Sequence, residues 1–172
     1  GNIKAADPDV IFAPSSIVTA SLIIKQAREL GITAQIMGGD TWENATIIDN
    51  AGADAEGVVV STFFDDAAPE TEEARKFVEG FKPFLVENGQ PEIIPAVSAL
   101  SYDAYLALYR AMELADSVDP VAIRDALTEL EFEAVTGKIA FDENGDAIKD
   151  MAFIKVIEDG KFKFLQTVTV AE

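Results

Sequence analysis

The chain has 172 residues, 49% hydrophobic and 26% charged, with 11 Gly and 7 Pro, a composition that excludes the disordered, collagenous and low-complexity classes. Lys plus Arg number 13 against 31 Asp plus Glu, a formal net charge of -18; this field repels nucleic-acid phosphates, and no basic stripe interleaved with aromatics offsets it. Without Cys or His there is no disulfide, thiolate nucleophile, imidazole base or Cys/His zinc site, so Ser-His-Asp and Cys-His catalysis are excluded and neither metal nor cofactor is expected.

No apolar run reaches the ~20 residues of a membrane span. Residues 1–6 have no apolar core of a signal peptide, which puts any export signal upstream of Gly1. In chain order, Val10-Ile11-Phe12-Ala13 predicts a buried strand ending in the polar loop Pro14-Ser15-Ser16. Residues 17–30 are apolar around most of a helical circumference, with Gly31 as a C-terminal cap, and predict a largely buried helix. Ile36-Met37 before Gly38-Gly39-Asp40 predicts a second strand, 44–51 a second helix, and 57–63 a third strand rich in β-branched residues. This β-α-β-α-β order implies an α/β fold with a parallel sheet covered by helices on both faces, a three-layer α/β/α arrangement.

From 64 to 130 the pattern turns helical. Pro69 with Glu70, Glu72 and Glu73 suits a helix N-terminus, and Ala74, Phe77, Val78, Phe81, Phe84 and Leu85 form an inward stripe, with a kink expected at Pro83. Tyr102, Tyr105, Leu106, Tyr109 and Met112 share a stripe on a second helix that reads as core packing, and Asp119-Pro120 opens a third helix with Ile123, Ala126, Leu127 and Leu130 inward. The tail returns to strands at 138–141, 151–157 and 162–170, the last two joined by an Asp159-Gly160 hairpin turn. With no linker or repeat in the chain, domain crossings are expected near 61–66 and 150–153.

Asp142, Asn144 and Asp146 have the alternate spacing of a calcium loop, but Ala147 stands where the sharp turn needs Gly, so they read as a turn in a β-meander. Pro14-Ser15-Ser16 enters a helix whose N-terminal N–H groups attract anions. Helix capping and ligand contact both remain open there, at the carboxyl end of a strand where open α/β sheets bind ligands. Asp40 should point into the same crevice: a single carboxylate suits an ammonium group, and the alternative is that Asp40 or Thr41 caps the next helix. Trp42, the only Trp, is either an apolar wall for a ligand or ordinary packing.

The strings 3–12, Lys25-Gln26-Ala27-Arg28-Glu29-Leu30-Gly31-Ile32, Gly38-Gly39-Asp40, Ala55-Glu56-Gly57-Val58, Ser101-Tyr102-Asp103-Ala104, Val135-Thr136-Gly137-Lys138-Ile139 and 141–146 resemble, in order and spacing, the Leu/Ile/Val-binding substrate-binding proteins of branched-chain amino acid ABC transporters. The resemblance implies a type I periplasmic-binding, Venus-flytrap fold of two lobes closing on an amino acid in the cleft, of which this chain is similar to the C-terminal half only. On that basis 1–62 corresponds to a second-lobe β-α-β-α-β segment, 63–150 to a first-lobe helical segment with the start of a meander, and 151–172 to a C-terminal hairpin returning to the second lobe. Asp40 then receives the ligand ammonium; Ser15, Ser16, Ile17, Thr41 and Trp42 are its expected neighbours, with Ser16 and Ile17 where relatives often carry aromatic residues. The groups holding the ligand α-carboxylate belong to the half not represented.

The implied function is non-enzymatic: the extracytoplasmic solute-binding component, periplasmic or a lipoprotein on the outer face, with a Leu/Ile/Val-like amino acid as ligand and an ABC permease as partner. An amino-acid-sensing regulatory or receptor domain on the same fold is the alternative. A chain of this length is also expected to self-associate or to pair with a complementary N-terminal half.

Overall fold

A computed structural model describes residues 1–149 and 151–169. In chain order the elements are α1 (Asn2–Ala6), β1 (Val10–Phe12), α2 (Ile17–Glu29), β2 (Gln35–Gly38), α3 (Ala45–Ala51), β3 (Val59–Thr62), α4 (Glu72–Glu87), α5 (Ala96–Ala115), α6 (Pro120–Glu129), β4 (Phe132–Ala134), β5 (Gly137–Ile139), β6 (Met151–Glu158) and β7 (Lys161–Thr169). They form two compact units, Gly1–Phe63 with Ala152–Thr169, and Phe64–Met151. The expected crossing at residue 150 and the expected end of the last strand at 170 lie outside the described residues.

In the first unit the sheet order is β1-β2-β3-β6-β7. The three short apolar runs pair in parallel, Ile11 opposite Ile36 and Gly38 opposite Val60. β6 then joins β3 antiparallel, with Val60 opposite Lys155 and Thr62 opposite Phe153. The sheet is therefore mixed, because a hairpin delivers its last strands. That hairpin turns at Asp159 (φ 54°) and Gly160 (φ 67°), the paired positive φ angles of a tight turn matched to strand twist. The Glu56 carboxylate accepts from both of their backbone N–H groups, at 3.1 and 2.8 Å.

Ala20, Ile24 and Ala27 of α2, Ile47 and Ala51 of α3, and Ile36, Val58, Val60 and Ile157 of the sheet form one core around Trp42. Both helices thus cover the same sheet face. Val10 and Phe12, which alternate with Ile11 and so face the other way, are 54% and 59% exposed. This corrects the expectation of a fully buried first strand and of a largely buried α2, whose Val18 is 76% exposed: one stripe of the helix meets the sheet and the rest meets solvent.

In the second unit α4 runs through Pro83 as one helix, its N-terminus capped by the Thr71 hydroxyl on Ala74 N–H at 2.9 Å. Its Phe77, Val78, Phe81 and Leu85 pack against buried Phe64, Ile94, Ala96, Ala99 and Val135. Tyr102 lies against Phe77 at 5.0 Å between ring centroids, but Tyr102, Tyr105 and Tyr109 are all exposed. α5 contributes its alanines to the cores of this unit, so in this chain the expected tyrosine stripe is largely exposed and, among the described residues, only Tyr102 of the three touches an aromatic neighbour. Buried Asp103 takes hydrogen bonds from Val135 N (2.9 Å), Thr136 N (2.7 Å) and Thr136 Oγ1 (2.7 Å), closing the β4–β5 turn. Asp142 closes the next turn by accepting from the N–H groups of Asn144 and Asp146, each at 2.9 Å.

Candidate functional site

The loops at the carboxyl ends of β1 and β2 meet at one rim of the first unit. Parallel strands bring them there, since each right-handed crossover returns the chain to start the next strand at the opposite edge. β2 ends at Gly38 because the Trp42 ring lies directly over it: a Cβ at Gly38 would stand 2.2 Å from Trp42 Cδ2. Asp40–Trp42 form a single 3-10 turn, held by Trp42 N–H on the Gly39 carbonyl and Glu43 N–H on the Asp40 carbonyl, each 3.0 Å.

Trp42 is fully buried and its Nε1–H donates to the Ser15 carbonyl at 2.9 Å. The Thr41 hydroxyl donates to the same oxygen at 3.3 Å. The indole thereby pins the β2 loop onto the β1 loop, and an aromatic body with one polar tip suits a ring that fills a core while its edge reaches backbone.

Asp40 is half-buried on this turn; its Oδ1 accepts from Thr41 N–H at 2.8 Å. Among the described residues it has no ion-pair partner. It does not cap α3, because Asn44 does so through Thr46 N–H at 2.9 Å. Thr41 is exposed beside it. Ser15 Oγ is buried and has no hydrogen-bond partner among the described residues. Ser16 occupies the N-cap position of α2, exposed, without a side-chain cap bond. Ile17 is half-buried against the Trp42 core. Trp42 has no exposed surface in this chain and braces the two loops.

Sequence reasoning passed over the residues beneath the turn. Glu43 and Lys155 are each 4% exposed and Thr62 is fully buried. Lys155 Nζ donates to Glu43 Oε1, and Thr62 Oγ1 donates to Glu43 Oε2 at 2.9 Å. The signal was available in β6, where Lys155 falls in phase with buried Phe153 and Ile157, so period-two alternation points a Lys into the core.

Residues 1–161 match the family model described as periplasmic binding protein. The chain belongs to the periplasmic binding protein family. It is 29% identical over 168 residues to Leu/Ile/Val-binding protein homolog 1 of Brucella abortus (strain 2308), covering 95% of this chain and 43% of that protein. Among solved structures it is similar to the leucine binding protein LivK of Thermotoga maritima MSB8, with TM-score 0.82 and 31% identity over 98% of this chain and 47% of that one. It is also similar to the branched-chain amino acid transporter substrate binding protein LivJ of Streptococcus pneumoniae, solved with isoleucine, with TM-score 0.75 and 25% identity over 98% and 46%. The mixed sheet with its helices is thus a type I periplasmic binding protein fold, and the chain spans less than half the length of these three relatives. Among the described residues no helix is long and apolar enough to cross a membrane.

Proposed function

We propose that this chain carries the ammonium-recognition side of an extracytoplasmic solute-binding protein for a branched-chain or similar small amino acid, working with an ABC permease and catalysing no reaction. The observation that carries the proposal is Asp40, a half-buried carboxylate on a braced turn at the carboxyl rim of three parallel strands. A carboxylate so held gives an ammonium a charge-assisted acceptor without first having to be ordered. Exposed Ser16 and Thr41 and half-buried Ser15 and Ile17 lie on the same two loops and are proposed to line the ligand site with it. Support comes also from the relatives, whose names specify Leu/Ile/Val or leucine binding, and from the isoleucine in the Streptococcus pneumoniae structure.

Titration calorimetry of leucine on the protein carrying this chain, and on its Asp40→Asn and Asp40→Ala variants, tests the proposal. Removing one partner of a desolvated charge pair costs about 2–5 kcal/mol, or ~30-fold and more in affinity. Variants that bind leucine within about twofold of the parent would overturn the role of Asp40. A parent that prefers a sugar to leucine would overturn the ligand class.

A further inference from the structure

The buried Glu43 carboxylate has no part in the ligand recognition proposed above. We propose that Glu43 is the positioning residue for Asp40: clamped by Lys155 and Thr62, it fixes the recognition turn to the two strands through which the chain leaves and re-enters its first unit. The inference rests on the ammonium-binding role of Asp40.

Three observations carry it. Glu43 is joined to Asp40 by the backbone bond that closes the 3-10 turn, Glu43 N–H on the Asp40 carbonyl at 3.0 Å, so a shift of Glu43 moves Asp40. Each carboxylate oxygen is held by a different strand, Oε2 by Thr62 of β3 and Oε1 by Lys155 of β6, which fixes the direction of the side chain as well as its depth. Those strands are the connecting ones. Thr62 directly precedes Phe63, where the first unit is left, and Lys155 follows soon after Ala152, where it resumes.

Stability alone does not account for such a pair. Taking both charges out of water costs several kcal/mol, and a well-packed apolar replacement is often neutral or stabilising. Apolar contacts, however, are non-directional, whereas a carboxylate bonded from two sides has one orientation. The buried pair therefore supplies position, and position is what a single ammonium-binding carboxylate requires.

The sole tryptophan and the ligand give separate tests. In the 172-residue chain, Glu43→Gln and Lys155→Met should each raise acrylamide quenching of Trp42 about twofold while far-UV circular dichroism stays that of the parent. In the ligand-binding protein, Glu43→Gln should weaken leucine about tenfold, and in the Asp40→Asn background the same change should cost less than about twofold, because a positioning residue has nothing left to position. Thr62→Val, which removes one hydrogen bond, carries the same comparison at smaller amplitude should Glu43→Gln fail to fold. Equal losses in both backgrounds, with quenching unchanged, would reduce Glu43 to a structural residue and overturn the inference. A parent that binds no amino acid would instead refute the role of Asp40, and the quenching comparison still decides whether Glu43 holds the turn.

Discussion

Adding one methyl group at Gly38 should disturb both the stability of the first unit and the recognition turn. The new Cβ would stand 2.2 Å from Trp42 Cδ2, 2.5 Å from Cε3 and 2.6 Å from Cγ, whereas nonbonded carbons settle at about 3.5–4.0 Å. The ring must retreat by roughly 1 Å or more, yet it is fully buried among Ala20, Ile24 and Ile36 and tethered to the Ser15 carbonyl. Overpacking of this kind costs about 1–3 kcal/mol, and stranding the indole N–H adds about 1–3 kcal/mol where the tether breaks. With a urea m-value of about 1–3 kcal/mol per molar, the unfolding midpoint of Gly38→Ala should fall by about 1 M. Urea titrations followed by Trp42 fluorescence and far-UV circular dichroism measure it. Gly39→Ala is the control: its Cβ meets nothing within 4 Å and its φ is -87°, so the change should stay within about 0.5 kcal/mol. A Gly38→Ala midpoint within about 0.3 M of the parent, with unaltered Trp42 emission, would show that the ring does not rest on this glycine and would remove the brace from the account of the turn.

Asp103→Ala leaves the buried Val135 and Thr136 N–H groups without their acceptor and should destabilise the second unit by about 3 kcal/mol, read by urea unfolding, with Asp103→Asn intermediate because the amide keeps one acceptor. The Asp142 carboxyl is held below its ordinary value of 3.8, first by the Asp146 N–H it accepts and then by Asn144. Its folded value is the lower one, so its contribution to the turn is complete above the unfolded value and is lost as pH falls through the lowered one. A carboxyl carbon NMR titration should therefore place its midpoint below 3.8, and a midpoint at or above that value would contradict the hydrogen-bonded turn.

The order β1, α2, β2, α3, β3 and the final hairpin were legible because their causes are local. Short β-branched runs, a helix between each pair, and Asp159-Gly160 at the turn need no distant partner to be recognised. Burial was misjudged where it depends on what lies opposite. α2 is apolar nearly all round, but only the Ala20, Ile24 and Ala27 stripe has a sheet against it. The tyrosines of α5 have the spacing of a core stripe, yet the smaller alanines of that helix take the core. Apolarity says that a face would gain from cover; it does not say which face receives it.

At the site the same distinction separates Asp40 from Glu43. Gly38-Gly39-Asp40 marks a strand end followed by a carboxylate, and the position of a strand end is enough to put Asp40 at the rim. In Asp40-Thr41-Trp42-Glu43-Asn44 nothing local tells a buried carboxylate from a solvated one, and the cation that holds Glu43 lies 112 residues further on. Lys155 itself was the available clue. A Lys in phase with Phe153 and Ile157 must either bury a charge or break the alternation, and the strand is unbroken from Met151 to Glu158. A buried ammonium requires an anion, which has to come from an element packed on the same face of β6. β3 lies beside it with only the neutral Thr62 near that level, and the next chain across the face is the turn that Trp42 anchors. Glu43 is the acidic residue directly after Trp42, so the packing that buries the indole also determines which carboxylate meets Lys155.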